Sequence, residues 1–476
     1  MRRLISIIVP VLLIIIAMAS APQGVSGQFI TNTPADGDSA PLATNTPFDD
    51  NLFATSASNS GFGFATNTPA GPSSTPTNTA TLTLTPTATF TPTNTATNTP
   101  TPTATFTPTN TSTPTPTPNG PFIYPEGVNP LTGLPYPNPE AQARRNLIVK
   151  ISNYPPIVRP QHGVNSADIV FEYEAEGGVT RFAAIFRSQA PERVGSIRSA
   201  RLLDIELATM YRALLAYSGT SAPIQELLLG EDFFEFQLIS PMIGHGENQN
   251  NDCSDTPFCR NFALMDEGRA REHTLFGNTN TMWATASRQG TNTGFAAFGF
   301  AFSIFPDANG LPINDIYTEW YGQADARWQY DPEAAQYIRF TDNQPHMDAA
   351  DGQQLWADNL VIIEVPHVER PDLFPPGANY ASLGVELWEQ GRAYVLRDGQ
   401  WYQGFWRRRN RNPGSALQLI YGDNTPIMLK PGRTWVTIVR GLGNVSLNET
   451  QVDVGATATL MALTPSPTPL DVNPDD

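Results

Sequence analysis

The chain has 476 residues, with 28 Lys and Arg against 45 Asp and Glu, for a net charge of −17. General nucleic-acid binding needs a basic footprint, so this balance excludes it. A charged fraction of 15 % beside 44 prolines signals a long uncharged stretch that cannot fold, alongside enough chain for two or three domains.

Met1-Arg2-Arg3 precedes an apolar run from Leu4 to Ala19, and Ala19-Ser20-Ala21 offers a small-residue cleavage site. Residues 1–21 therefore have the form of a signal peptide, with an uncleaved anchor as the alternative. The expected location is extracytoplasmic, and membrane contact, if any, would come only through that anchor. No Cys follows the run, so no lipid-attachment site of the bacterial lipoprotein type is present.

Residues 22–120 lack any apolar period, and from Thr66 onward the text is a Thr/Pro/Asn/Ala repeat. Such a segment buries too little to offset its ordering entropy, so a disordered stalk is expected. Proline biases it toward polyproline II, in which fifty residues would reach on the order of 150 Å. Residues 453–476 echo this composition as a tail.

The first globular segment spans residues 121–292 and reads as a mixed α/β domain. Residues 146–152 have the look of a buried strand, and the prolines of 154–162 require a loop. In residues 167–174, Ile169, Phe171 and Tyr173 share one face, and Val170, Glu172 and Glu174 the other. Residues 179–186 have the same character, and Glu176-Gly177-Gly178 supplies the turn of a hairpin.

Arg198 and Arg201 follow in a loop, with Ser199 as the expected N-cap of a helix whose face carries Leu203, Leu207, Met210, Tyr211 and Leu214. Cations at a helix N-terminus face the positive end of its dipole, so an anion is expected there. It would be either a ligand or an internal carboxylate, Glu172, Glu174 or Glu176. Arg181, Arg198, Arg201, Glu174, Glu176 and His273 are the candidate binding residues.

Leu214–Ser218 reads as a strand leading through Ser221, a helix cap, into a short helix at 224–229. That stretch matches neither a phosphate loop nor a nucleophile elbow. Cys253 and Cys259 are expected to form a local disulfide. Two Cys with scattered His match no zinc spacing, so neither metal nor cofactor is expected.

Here the text resembles a known family. NPLTGL (129–134), ISNYPPIVRPQHGVNSADIVFEYEAEGGVTRFAAIF (151–186) and VGSIRSAR (194–201) are similar to the N-terminal half of the YerB family of bacterial envelope lipoproteins. YIRFTDNQPHMDAADGQQLWADNLVII (337–363) and GRAYVLRDGQWYQGFW (391–406) resemble its C-terminal domain. The resemblance implies an exported two-domain protein and carries no activity. The missing lipid-attachment Cys departs from the family pattern.

Residues 293–452 read as a β-rich second domain, with strands at 360–365, 392–396 and 434–439 and a hairpin turn at Asp398-Gly399. Arg407–Arg411 is the one basic block, expected as a solvated strand end. His346 and Asp348 are expected to cap a turn. The fold class is thus α+β, a mixed α/β domain followed by a β-rich one behind a disordered stalk.

Three functions fit these residues. The favoured one is a non-enzymatic module binding an anionic or glycan envelope component, such as an anionic polymer or a lipid phosphate. An envelope enzyme acting on glycan-lipid pyrophosphate, with Glu174 or Glu176 as base, is the second. A scaffold or adhesion module with purely structural arginines is the third.

Overall fold

The computed structural model describes residues 119–230, 237–320, 324–373 and 380–447. The expected leader, the expected stalk up to residue 118 and the expected tail lie outside them. All described residues belong to one compact unit, and among them no helix is long and apolar enough to cross a membrane.

The N-terminal half supplies β1 (Leu147–Ser152), β2 (Ile169–Ala175), β3 (Val179–Phe186), α1 (Leu202–Tyr211), β4 (Leu214–Ala216), α2 (Ala222–Gly230), β5 (Leu238–Ile239) and α3 (Thr279–Arg288). The C-terminal half adds β6 (Leu311–Pro312), β7 (Asn359–Glu364), β8 (Glu389–Arg397), β9 (Gln400–Arg408), β10 (Gln418–Ile420) and β11 (Thr434–Val439). The eleven strands form one sheet in the order β6-β9-β8-β7-β11-β2-β3-β1-β4-β5, with β10 on β9. Strands from both sides of the expected boundary at 292–293 therefore share a single sheet.

The seam is β11, parallel to β2 on one side and to β7 on the other. Every residue of β11 is buried, as a strand covered on both faces must be. The β2–β3 hairpin closes through Gly177 and Gly178 at φ 83° and 71°. The β8–β9 hairpin closes through Asp398 and Gly399 at φ 51° and 69°, as its sequence predicts.

One face of the sheet carries Phe171, Tyr173, Val361, Val436 and Trp406 under α1. The other carries Val170, Phe182 and Trp435, covered by α3 and by Trp320 and Trp328 of a second, six-stranded sheet. Leu214 leaves the α1 face because it belongs to β4 and packs on the opposite side.

Three local expectations are corrected. Ser199 does not cap α1, because residues 198–200 are held extended: the Arg198 N–H bonds Lys150 O at 2.9 Å, and the Ala200 N–H bonds Gly219 O at 3.0 Å. The N-cap position falls to Arg201, whose N–H donates to Asp204 Oδ2 at 2.7 Å. Ser221 does not cap either, since its Oγ is buried without a hydrogen-bond partner among the described residues. The basic block is likewise not wholly solvated: the Arg408 side chain is fully buried and pairs with Glu206 on α1.

Candidate oxyanion site

The strands β1, β2 and β4 run parallel to one another, and their C-terminal ends open toward the extended segment 198–200 and the start of α1. Ligands in open sheets of this kind sit outside the carboxyl ends of the strands. On the α1 side of this edge, cross-strand register aligns Ser152 on β1 with Arg181 on β3 and Tyr173 on β2. Lys150 shares that side two residues before Ser152.

The floor is a buried polar chain. Lys150, with no solvent exposure, donates from Nζ to the Tyr173 hydroxyl at 2.6 Å, and that hydroxyl donates to Asp204 Oδ1 at 2.6 Å. Burial pulls the Lys150 ammonium down to about 8 and pushes the Tyr173 hydroxyl well up. Asp204 also receives the Arg201 N–H, so one carboxylate anchors Lys150, Tyr173 and the head of α1.

Above this floor three guanidiniums share one paired carboxylate, Glu176. Arg181 is 9 % exposed, yet its guanidinium makes no hydrogen bond among the described residues, and its Nη1 is buried without a partner. Burial, then the Arg201 and Arg198 charges, hold its pKa well below the ordinary guanidinium value. Arg198 donates only to Glu272 O, at 3.3 Å, and its Nε is buried without a partner. Arg201 pairs with Glu176 and donates to Ala200 O at 2.9 Å.

His273 lies buried in the turn Arg271–His273, with Nδ1 3.5 Å from Ser152 Oγ. Burial and the Arg198 charge, with smaller contributions from Arg181 and Arg269, lower its pKa to about 4. The ring is therefore neutral at physiological pH and acts as a hydrogen-bonding wall.

The structure thus brings Arg181, Arg198, Arg201, Glu176 and His273 together. It removes Glu174, whose carboxylate is held by Arg440 through two 2.8 Å bonds. Glu172, on the opposite face, is bound by Arg339 at 2.8 and 3.0 Å. Arg198 and Arg201 were both expected at the helix start; Arg201 is the N-cap of α1, and Arg198 lies three residues before it. Lys150, Tyr173, Ser152 and Asp204 were missed, although a lysine inside an apolar strand is a signal that a buried counter-charge exists.

Cys253 and Cys259 form the expected disulfide, with Cα atoms 4.9 Å apart. His346 and Asp348 tie the halves together. The His346 ring meets Gln161 Oε1 at 2.6 Å, and the Asp348 oxygens accept the Gly163 and Asn165 N–H groups at 2.7 Å each. Among the described residues no group of three or more His, Cys, Asp or Glu is placed to hold a metal ion.

Two family models match the chain. The N-terminal domain of the protein of unknown function family DUF3048 covers residues 131–292, and its C-terminal domain covers residues 316–436. The chain belongs to the DUF3048 family. It is similar to YerB of Bacillus subtilis (strain 168), a candidate lipoprotein by name, at 27 % identity over 67 % of this chain and 88 % of that one. The crystal structure of YerB from Bacillus subtilis matches with a TM-score of 0.54 at 23 % identity, over 67 % of this chain and 99 % of that one. The likeness to that structure concerns the fold. Within the DUF3048 fold of this chain, both halves build the surroundings of the candidate site: the N-terminal half supplies Lys150, Arg181, Arg198 and Arg201, and β11 of the C-terminal half pairs with β2 along Ile169–Glu172.

Proposed function

We propose that this DUF3048 protein is an envelope-associated binding module for an oxyanion-bearing component, held by Arg181, Arg198 and Arg201. The lipoprotein name of its relative YerB supports the compartment. The observation that carries the binding role is Arg181, a guanidinium nine-tenths buried with no hydrogen-bond partner among the described residues. A buried unpaired charge is costly, and an anion would remove that cost. The N-terminus of α1 adds a favourable dipole, part of which the Asp204 carboxylate already answers. Binding fits better than turnover because the two carboxylates proposed as bases are already engaged, Glu174 by Arg440 and Glu176 by Arg201.

Calorimetric titration of the full chain with inorganic phosphate at low salt tests this reading. Saturable binding is expected, weakening as salt rises, and Arg181→Gln should lower affinity by about tenfold or more, the scale of a lost charged hydrogen bond. Wild type that takes up no phosphate, or a variant that binds as well, would refute it.

A further inference from the structure

A cleft adjoins the arginine cluster through one shared residue. Glu176, which pairs with Arg201, also lines a cleft of about 320 Å³ with Glu174, Gly177, Glu369, Tyr380 and Arg440. That volume lies at the small end of the ~300–1,000 Å³ range of ligand clefts. Tyr380 is 59 % exposed, and a Cβ built on Gly177 would lie 3.6 Å from its ring, so the ring sits against the β2–β3 turn. Glu369 is exposed.

The arginine cluster and the cleft differ in chemistry. The arginine side offers donors and positive charge. The cleft offers an aromatic face and three carboxylates, which only accept, against one guanidinium, Arg440, that Glu174 already holds. A second anionic group would be repelled there. A free cation is poorly served too, because Glu174 and Glu176 already answer Arg440 and Arg201. What remains is an uncharged group rich in hydroxyl donors, with an apolar face to lay on a tyrosine ring. A pyranose has both.

Resting on the oxyanion reading above, we infer that the arginine site and the adjoining cleft together bind a sugar phosphate, the phosphate at Arg181, Arg198 and Arg201 and the sugar ring among Glu176, Glu369 and Tyr380. The phosphate takes donors from several directions at once, from β3, from the segment before α1 and from the helix start. A planar carboxylate would satisfy fewer of them.

The test is calorimetry of the full chain with inorganic phosphate, glucose 1-phosphate, glucose and phosphocholine in parallel. Glucose 1-phosphate should bind about tenfold more tightly than inorganic phosphate, the equivalent of one or two well-made hydrogen bonds. Glucose alone should show no heat. Tyr380→Ala and Glu369→Gln, both surface substitutions, should each cut the advantage of the sugar ester while phosphate still binds. Equal affinity for phosphate and glucose 1-phosphate, an advantage that survives both substitutions, or a preference for phosphocholine would overturn the sugar assignment and leave the oxyanion reading standing. Failure of inorganic phosphate itself would overturn both.

Discussion

Arg181 is the residue on which the site turns, and its energetics separate a functional role from a structural one. A structural arginine stabilises its fold; a guanidinium buried without a partner does the opposite until a ligand arrives. Arg181→Met should therefore raise the stability of the ligand-free protein, by roughly 1–3 kcal/mol, as an unsatisfied buried polar group is removed. Chemical denaturation in phosphate-free buffer measures it, with Arg201→Met, which breaks the Glu176 pair, as the destabilising comparison. A loss of stability in Arg181→Met as large as that of a core truncation would show that the residue is structural. Arg198 and Arg201 were legible because they sit beside a helix start, whereas Arg181, on β3, carried no such signal of its own. Sequence reading placed that start too early, since the backbone bonds from Arg198 and Ala200 to Lys150 and Gly219 join residues far apart in the chain. Lys150 escaped for the same reason: its counter-charge Asp204 lies on another element.

At the scale of elements, β11 decides how the halves relate. Its parallel pairing with β2 and β7 could not be read from either half alone, because parallel partners carry no turn signal between them. The hairpins at Gly177-Gly178 and Asp398-Gly399 were legible because two residues there specify the turn. The β-branched and aromatic run of Thr434–Val439, free of charge on either face, was the available hint, since a strand exposed on one face would carry charged or strongly polar residues at alternate positions. Side chains fasten the same seam. Arg339 and Glu172, both without solvent exposure, join the second sheet to β2, and Glu172 Oε2 also accepts the Trp435 Nε1–H at 3.2 Å. Arg339→Met leaves Glu172 buried and unpaired, so it should cost about 3–5 kcal/mol. The thermal transition of the intact protein should stay single and cooperative, and residues 119–292 expressed alone should not melt cooperatively. A sharp calorimetric transition from that fragment would show the halves to be independent domains.

For the whole molecule, the same burial that silences His273 acts on every histidine. The chain has five, His162, His245, His273, His346 and His367, and burial is the first cause lowering each of them. A base whose folded pKa lies below its unfolded value of ~6.5 takes up its proton more readily in the unfolded chain. Its contribution is fully present above that value and is lost as pH falls through it toward the folded pKa, which for His273 is about 4. Stability should therefore decline from about pH 6.5 downward, by at most about 1.4 kcal/mol per pH unit for each fully buried ring. The decline should be smaller for His162, His245 and His367, which are only partly buried. Asp168 and Asp358, whose carboxyls burial pushes up, oppose the trend, but only nearer the carboxylate range. Phosphate bound among Arg181 and Arg198 would cancel part of the charge that holds His273 down, so saturating phosphate should make the decline shallower. His273→Gln should do the same and should remove most of the phosphate effect on the slope. Denaturant titrations between pH 7.5 and 4.5 at constant ionic strength read all three slopes. A flat profile, or one that rises toward acid, would mean that the histidines are far more open to solvent than their packing here allows.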